Sequence, residues 1–154
     1  MSYQSWHDYG YGICIDDVNT TVDKVLNLIH LAPEFEKKFY KWAKDFTGYD
    51  SIENIVNEIT MDDINEYYND NFCVDGLAPI VSSVIKECED IELLACSDYN
   101  GFDYLIFSVT YPWSMTDKEK NMTENDVRLL IAKYVNLLTN NPVTIDYQSV
   151  ENGG

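Results

Sequence analysis

The chain has 154 residues, of which 45 % are hydrophobic and 14 % aromatic, and its formal net charge at pH 7 is −17. This length supports one well-buried core and is short for two, so we expect a single domain over 1–154 with loose ends at 1–8 and 151–154. Direct binding to nucleic acid or to an anionic membrane surface needs a cationic patch, and so acidic a composition argues against both.

Negative charge is concentrated in the middle of the chain. Residues 45–117 hold sixteen carboxylates and one base, Lys86, whereas the other residues hold eleven carboxylates and nine bases. A halophile-type acidic coat would be spread over the whole surface. The concentration therefore favours a partner that presents a basic protein surface.

The first third of the chain shows a strand pattern followed by helical spacing. Side chains alternate over residues 9–16, which predicts the first strand, and Gly10 and Gly12 within it fit either a bulge or close packing. Apolar residues at helical spacing then predict three helices, the first capped by Thr20, the second opening at Pro33 and the third starting at Asp50. Four lysines share the outer face of the second helix: Lys37, Lys38, Lys41 and Lys44.

The next helix carries the most informative charge pattern. Thr60 and Asp63 have the spacing of a capping box, which predicts a helix from Met61 to about Asp70. This helix has four carboxylates on one face, and those that are four residues apart destabilise it by about 0.2–0.5 kcal/mol per pair, because like charges repel. The charged face is either an ordinary solvated surface or a surface that binds a charged partner, and this local cost is the reason to consider the second. Four carboxylates fall on that face, opposite the apolar residues: Asp62, Asp63, Glu66 and Asp70.

Beyond this helix, Asp75 is predicted to cap another helix that extends to Cys88. The period then changes towards two, and strands are predicted near 91–97 and 102–110, joined by a hairpin at the Asn100-Gly101 dipeptide. A two-residue turn there would place Asp98 opposite Asp103, so either the loop is longer or a cation lies between them.

The last elements complete an α+β pattern. Thr123 and Asp126 predict the capping box of an amphipathic helix, and a final strand is predicted near 143–148. Together these elements predict an α+β domain with a four-stranded antiparallel or mixed sheet and five to six helices packed mainly on one face.

The sequence contains no catalytic motif. Only His7 and His30 could act as a base for a nucleophile, and neither has a helix-spaced partner of the zinc-protease kind. We therefore expect no enzyme activity, no metal and no cofactor, and keep a small hydrolase that uses a carboxylate pair as a minor alternative.

The cysteine pattern and the absence of a signal or membrane-span pattern predict a protein of the cytoplasm. None of the four cysteines, Cys14, Cys73, Cys88 and Cys96, has zinc-ligand spacing, and the apolar neighbours of Cys14, Cys88 and Cys96 indicate buried free thiols.

A small, strongly acidic domain with a carboxylate-lined helix (Asp62, Asp63, Glu66, Asp70) resembles the DNA-mimic inhibitors of phages and mobile elements, a class that includes anti-CRISPR and antirestriction proteins. The resemblance covers the composition and this one segment. It implies a non-enzymatic inhibitor whose acidic face competes with nucleic acid for a basic groove on a host nuclease or DNA-binding protein. The alternative is an adaptor or assembly subunit that docks through tyrosine and apolar side chains. The predicted partner-binding residues are Asp50, Glu53, Glu58, Asp62, Asp63, Glu66, Tyr67, Asp70 and Asp75.

Overall fold

The computed structural model describes residues 6–68, 74–108 and 115–152, and the fold is α+β, as predicted. Its four strands are β1 (Trp6–Cys14), β2 (Leu94–Ser97), β3 (Asp103–Phe107) and β4 (Asp146–Asn152). They form one antiparallel sheet in the order β2-β3-β1-β4. The described residues form seven α-helices: α1 (Val22–His30), α2 (Pro33–Thr47), α3 (Ile52–Glu58), α4 (Met61–Asn65), α5 (Leu77–Glu89), α6 (Asp117–Lys120) and α7 (Glu124–Val135).

The four predicted strands are present, but their bounds differ. Strand β1 starts at Trp6 and gives way to a 3-10 turn at Ile15–Asp17 instead of continuing to residue 16. Strand β4 pairs with β1 as far as Asn152, so the prediction of loose ends is wrong for residues 6–8 and 151–152. Both ends of the chain are ordered there because they pair with each other across the sheet. The predicted end of the third strand, at 109–110, lies outside the described residues.

The hydrophobic core lies between one face of the sheet and the helices. The strand register places Ile13 opposite Leu105 and Tyr11 opposite Phe107, so these residues share that face. Ile13, Leu105 and Phe107 are buried in the same apolar cluster as the inner residues of α1, α2, α5 and α7. Ile106 faces the other way, since neighbouring strand residues alternate, and it is also buried.

Two glycines in β1 allow a close approach to β3. A Cβ atom added to Gly10 would lie 2.1 Å from the Phe107 carbonyl oxygen, and one added to Gly12 would lie 2.1 Å from that of Leu105. Of the two explanations predicted for these glycines, a bulge or close packing, the structure therefore supports close packing. The two edges of the sheet also approach each other, since the Tyr99 N–H, just after β2, donates to the Glu151 carbonyl of β4 (3.1 Å).

Helix starts follow the sequence closely where a complete capping box is present. The boxes of Thr60 with Asp63 and Thr123 with Asp126 are formed as predicted. A third, of Thr116 with Glu119, opens α6, a helix that is not among those predicted from the sequence. The same Thr-x-x-acid spacing was the signal that could have found it.

Three other predicted caps are wrong by one residue. The residue that precedes α1 is Thr21, α3 is capped by the Ser51 hydroxyl, and the residue before α5 is Gly76. The Thr20 hydroxyl oxygen is instead buried and has no hydrogen-bond partner among the described residues. Gly76 has a φ of 89°, a conformation that favours glycine, so Asp75 lies one residue too early to be the cap.

The β2–β3 hairpin has a longer loop than two residues, which was one of the two alternatives. The Asp98 N–H donates to the Phe102 carbonyl (2.9 Å), and Asp103 pairs with Ser97, not with Asp98. The Asp98 carboxylate accepts the N–H of Asn100 (2.9 Å) and of Phe102 (3.0 Å). This aspartate therefore stabilises the turn itself.

Candidate protein-interaction surface

Helices α3 and α4 are held in place by a few buried isoleucines. Ile55 of α3 and Ile64 of α4 are fully buried, and Ile59 between the two helices is buried as well. The Ser51 hydroxyl accepts the N–H of Asn54 at the start of α3 (3.2 Å). Because each helix turns one narrow stripe inward, most of its remaining side chains face solvent.

The structure leaves most of the predicted partner-binding residues accessible. Asp63 is half-buried, and its carboxylate accepts the Thr60 N–H (3.0 Å), so part of its hydrogen-bonding capacity is used by the cap. Asp70 lies outside the described residues. Six of the nine are exposed: Asp50, Glu53, Glu58, Asp62, Glu66 and Asp75.

Tyr67 was predicted to bind a partner, and this prediction is wrong because its side chain is only 3 % exposed. Its ring packs edge-on against Phe35 and Trp42, with centroids 5.8 and 5.2 Å away. Helix α4 ends at Asn65, not near Asp70, and the Tyr67 carbonyl accepts the N–H of Gly76 (2.8 Å). The early end of the helix turns this tyrosine into the core.

The exposed carboxylates do not form a single flat face. At about 100° per residue, Glu53 and Glu58 lie about 140° apart around α3. Asp75 lines a separate cavity of about 400 Å³, together with Asp16 and Asp103. We use the name acidic surface for the four exposed carboxylates of the α3–α4 segment, which point in more than one direction: Glu53, Glu58, Asp62 and Glu66.

The acidic surface is not neutralised by bases within the described part of the chain. None of its four carboxylates takes part in any of the ion pairs found there. Those ion pairs involve bases of other segments, namely His30, Lys37, Lys86, Lys118 and Lys133. The charge of the acidic surface is therefore available to a partner.

A second carboxylate group, centred on Asp103, was not recognised as a group from the sequence. The Asp103 N–H donates to the Asp16 carboxylate (2.7 Å), and the Ser97 hydroxyl donates to the Asp103 carboxylate. Burial raises the pKa of Asp103 most; the Ser97 hydrogen bond lowers it, and the carboxylates of Asp16, Asp75 and Asp98 raise it further. The pairing of β3 with β2 brings Ser97 to Asp103, and the pairing of β3 with β1 brings Asp16 there, so no local spacing could have revealed Asp16 as a member.

The cysteine thiols and the side chains that could in principle ligate a metal provide little reactive chemistry. Cys14 and Cys96 are half-buried, whereas Cys88 is exposed, which corrects the expectation of burial for Cys88; Cys73 lies outside the described residues. Burial, followed by the charge of Asp8, raises the pKa of Cys96 to about 12, so its thiol stays protonated at neutral pH and is a poor nucleophile. Within residues 6–68, 74–108 and 115–152, no group of three or more His, Cys, Asp or Glu side chains is arranged to hold a metal ion.

No helix in the described residues has the length and apolar character needed to cross a membrane. Comparisons of the chain with protein-family models, with curated proteins and with solved structures found no match.

Proposed function

We propose that the protein is a non-enzymatic inhibitor that binds a basic, nucleic-acid-binding groove of another protein through its acidic surface. The observation that carries the proposal is that Glu53, Glu58, Asp62 and Glu66 are exposed and form no ion pair with the described bases. Asp50, beside the start of α3, adds to the same charge.

Unpaired carboxylates of this kind suit electrostatic steering. Complementary charge raises the rate of association with a basic partner, and a nucleic-acid groove is a concentrated basic surface because it neutralises phosphates. The resemblance to DNA-mimic inhibitors supports the same partner class. Under this proposal the protein acts in the cytoplasm of a bacterial host cell, where nucleases and repressors are found.

The direct test is affinity capture from a bacterial lysate with the native protein and with the double variant D62K/E66K. We expect the native protein to capture nucleic-acid-binding proteins at low salt, and the variant to associate with them at least about tenfold more slowly. Adding the native protein should also release DNA from a captured protein in a gel-shift assay.

The matched control is D23K/D117K, which changes the net charge equally at exposed positions of α1 and α6. It should capture the same proteins as the native chain. Equal capture by D62K/E66K, or capture of proteins that bind no nucleic acid, would contradict the proposed function.

A specific observation also favours the alternative of an adaptor that docks through apolar side chains. Ile52 and Val56 lie one turn apart on α3 and are 59 % and 38 % exposed. Binding through this ridge should persist at about 0.5 M salt, where the Debye length is only a few Å, and should be lost in I52D. Binding through the acidic surface should instead weaken as the salt concentration rises, because exposed charges are screened.

A further inference from the structure

A groove between α2 and α3 forms a cavity of about 670 Å³, which we call the α2–α3 cavity. Its volume lies within the range of roughly 300–1,000 Å³ that is typical of small-ligand sites. The cavity was not foreseen from the sequence and lies apart from Asp62 and Glu66, which do not line it.

The floor of the α2–α3 cavity is apolar because of how the two helices face each other. Ile55 is buried and anchors α3 against the core, whereas Ile52, almost one turn earlier, also lines the cavity and remains 59 % exposed. Tyr40 of α2 lines the cavity opposite and is half-buried. Gly48, with a φ of 79°, ends α2 and allows the chain to return as α3. The fold thus leaves apolar surface that no described side chain covers.

The α2 side of the cavity is basic, in a chain with 27 acids and only ten bases. Lys37, Lys41 and Lys44 line it, and they are three or four residues apart, so they share one side of the helix. Within the described residues, Lys41 and Lys44 form no ion pair.

The two carboxylates that line the cavity leave this charge mostly uncancelled. Glu36 is engaged by His30 (Nδ1 to Oε2, 2.8 Å) at one end of the cavity. Asp50, just before α3, also lines the cavity but forms no ion pair with a lysine within the described residues. The cavity therefore combines an apolar floor with a cationic side.

We propose that the α2–α3 cavity binds a small anionic amphiphile, a ligand with an aliphatic or aromatic body and one acidic head group such as a carboxylate. The body covers Tyr40, Ile52 and Ile55, which removes apolar surface from water. The head group contacts Lys41 and Lys44, whose ammonium groups act as point charges on flexible stems. Asp50 fixes the orientation because it repels the head group from the α3 side.

The test uses sodium dodecanoate as the probe, at concentrations below those at which it forms micelles, in an NMR titration of the isotopically labelled full-length protein. We expect shifts of backbone amide signals in α2 and the first turn of α3. Dodecyltrimethylammonium, with the same chain and the opposite charge, should shift these α2 and α3 signals with at least about tenfold weaker apparent affinity, whatever it does at the acidic surface.

Two variants separate the head-group side from the apolar floor. K41E/K44E and I52D should each weaken dodecanoate binding by about tenfold or more, whereas D50N should strengthen it. The matched control K24E/K120E changes the net charge equally on α1 and α6, outside the cavity, and should bind nearly as well as the native protein. A thermal melt of each variant confirms that it is folded.

The proposal is overturned if dodecanoate shifts no signals of α2 and α3 in the native protein, or if the cationic amphiphile binds there equally well. It is also overturned if K41E/K44E binds dodecanoate no worse than K24E/K120E. None of these outcomes depends on whether Asp62 and Glu66 bind a basic partner.

Discussion

The carboxylates of α5 and those of the acidic surface belong to the same residue types but have opposite surroundings. The Glu87 carboxylate accepts the N–H groups of Glu34 (3.1 Å) and Phe35 (2.8 Å), which are unpaired donors at the start of α2. It therefore acts as an N-terminal cap that is supplied by a different helix. The Glu66 carboxylate, by contrast, is exposed; it accepts no hydrogen bond from the described residues and forms no ion pair with them.

Glu89 ties α5 to α7 in a similar way. Its carboxylate accepts hydrogen bonds from the Lys133 ammonium (2.8 Å) and the Tyr134 hydroxyl (2.8 Å), and the Lys118 ammonium lies 3.7 Å from it. Two of the chain's ten bases, Lys118 and Lys133, are thus used where a carboxylate of α5 meets other elements. What separates structural from available carboxylates in this protein is the number of donors around each one, not its position in the acidic middle of the sequence.

Glu119 is the carboxylate whose removal should cost most stability. It is 7 % exposed and accepts the N–H groups of Thr116 (2.9 Å) and Glu92 (2.9 Å). Burial alone would raise its pKa, but these hydrogen bonds outweigh burial and hold the pKa below its usual range. We expect Glu119→Ala to lower the free energy of unfolding by about 2–3 kcal/mol, because two donors lose their acceptor. Urea unfolding followed by circular dichroism measures this loss.

The control for Glu119 is Asp117→Ala, on the exposed side of the same short helix. It should change the free energy of unfolding by no more than about 0.5 kcal/mol. Similar losses for the two variants would show that the hydrogen bonds of Glu119 add nothing to the free energy of unfolding. That result would contradict the distinction between hydrogen-bonded and available carboxylates.

Glu89→Gln should have a smaller effect that depends on pH. The hydrogen bond from Lys133, followed by that from Tyr134, lowers the pKa of Glu89, so folding favours the ionised form. This contribution is complete above the unfolded-state pKa of about 4.3 and is lost as the pH falls through the lower pKa of the folded state. We expect a loss of about 1–2 kcal/mol at neutral pH, and convergence of the native and variant proteins in acid.

Urea unfolding at a series of pH values measures the effect at Glu89, with Glu92→Gln as the control. The Glu92 side chain is exposed and takes part in none of the described ion pairs. A difference between native and Glu89→Gln that stayed constant down to strongly acidic pH would contradict the role assigned to the ionised carboxylate.

The fold class followed from local patterns, because each pattern has its own physical cause. The boxes of Thr60 and Thr123 start helices through contacts within one turn, and they formed as predicted. The alternation around Ile13 identified β1 because one face of the sheet is buried. The cap predicted at Thr20, with Asp23 at capping-box spacing, failed because α1 starts one residue later, after Thr21. The cap predicted at Asp75 failed by one residue as well, so such spacing leaves the exact start of a helix open.

The candidate site could be predicted less well, because it depends on contacts between distant segments. The sequence pattern places Tyr67 in a longer helix. In the structure its carbonyl accepts the N–H of Gly76, because the helix has already ended at Asn65. Likewise, the lysines of α2 are visible in the sequence, but their place beside Ile52 is set by the turn at Gly48. Residue type and local spacing gave the charges; packing decided which of them remain available.

The smallest expected effect is at Glu66, and it tests the other half of the contrast. Glu66 is the residue at the C-terminal end of α4, where a negative charge faces the negative end of the helix dipole. We expect Glu66→Gln to change the free energy of unfolding by no more than about 0.5 kcal/mol, in the stabilising direction, because a mildly unfavourable charge is removed.

Asp62→Asn, in the first turn of the same helix, should change the free energy of unfolding by a similar amount in the opposite direction. Urea unfolding at low and high salt measures both, and salt should reduce both effects because it screens exposed charges. A loss of about 1 kcal/mol or more at Glu66 would mean that its carboxylate stabilises the fold, and it would then no longer belong to the carboxylates available to a partner.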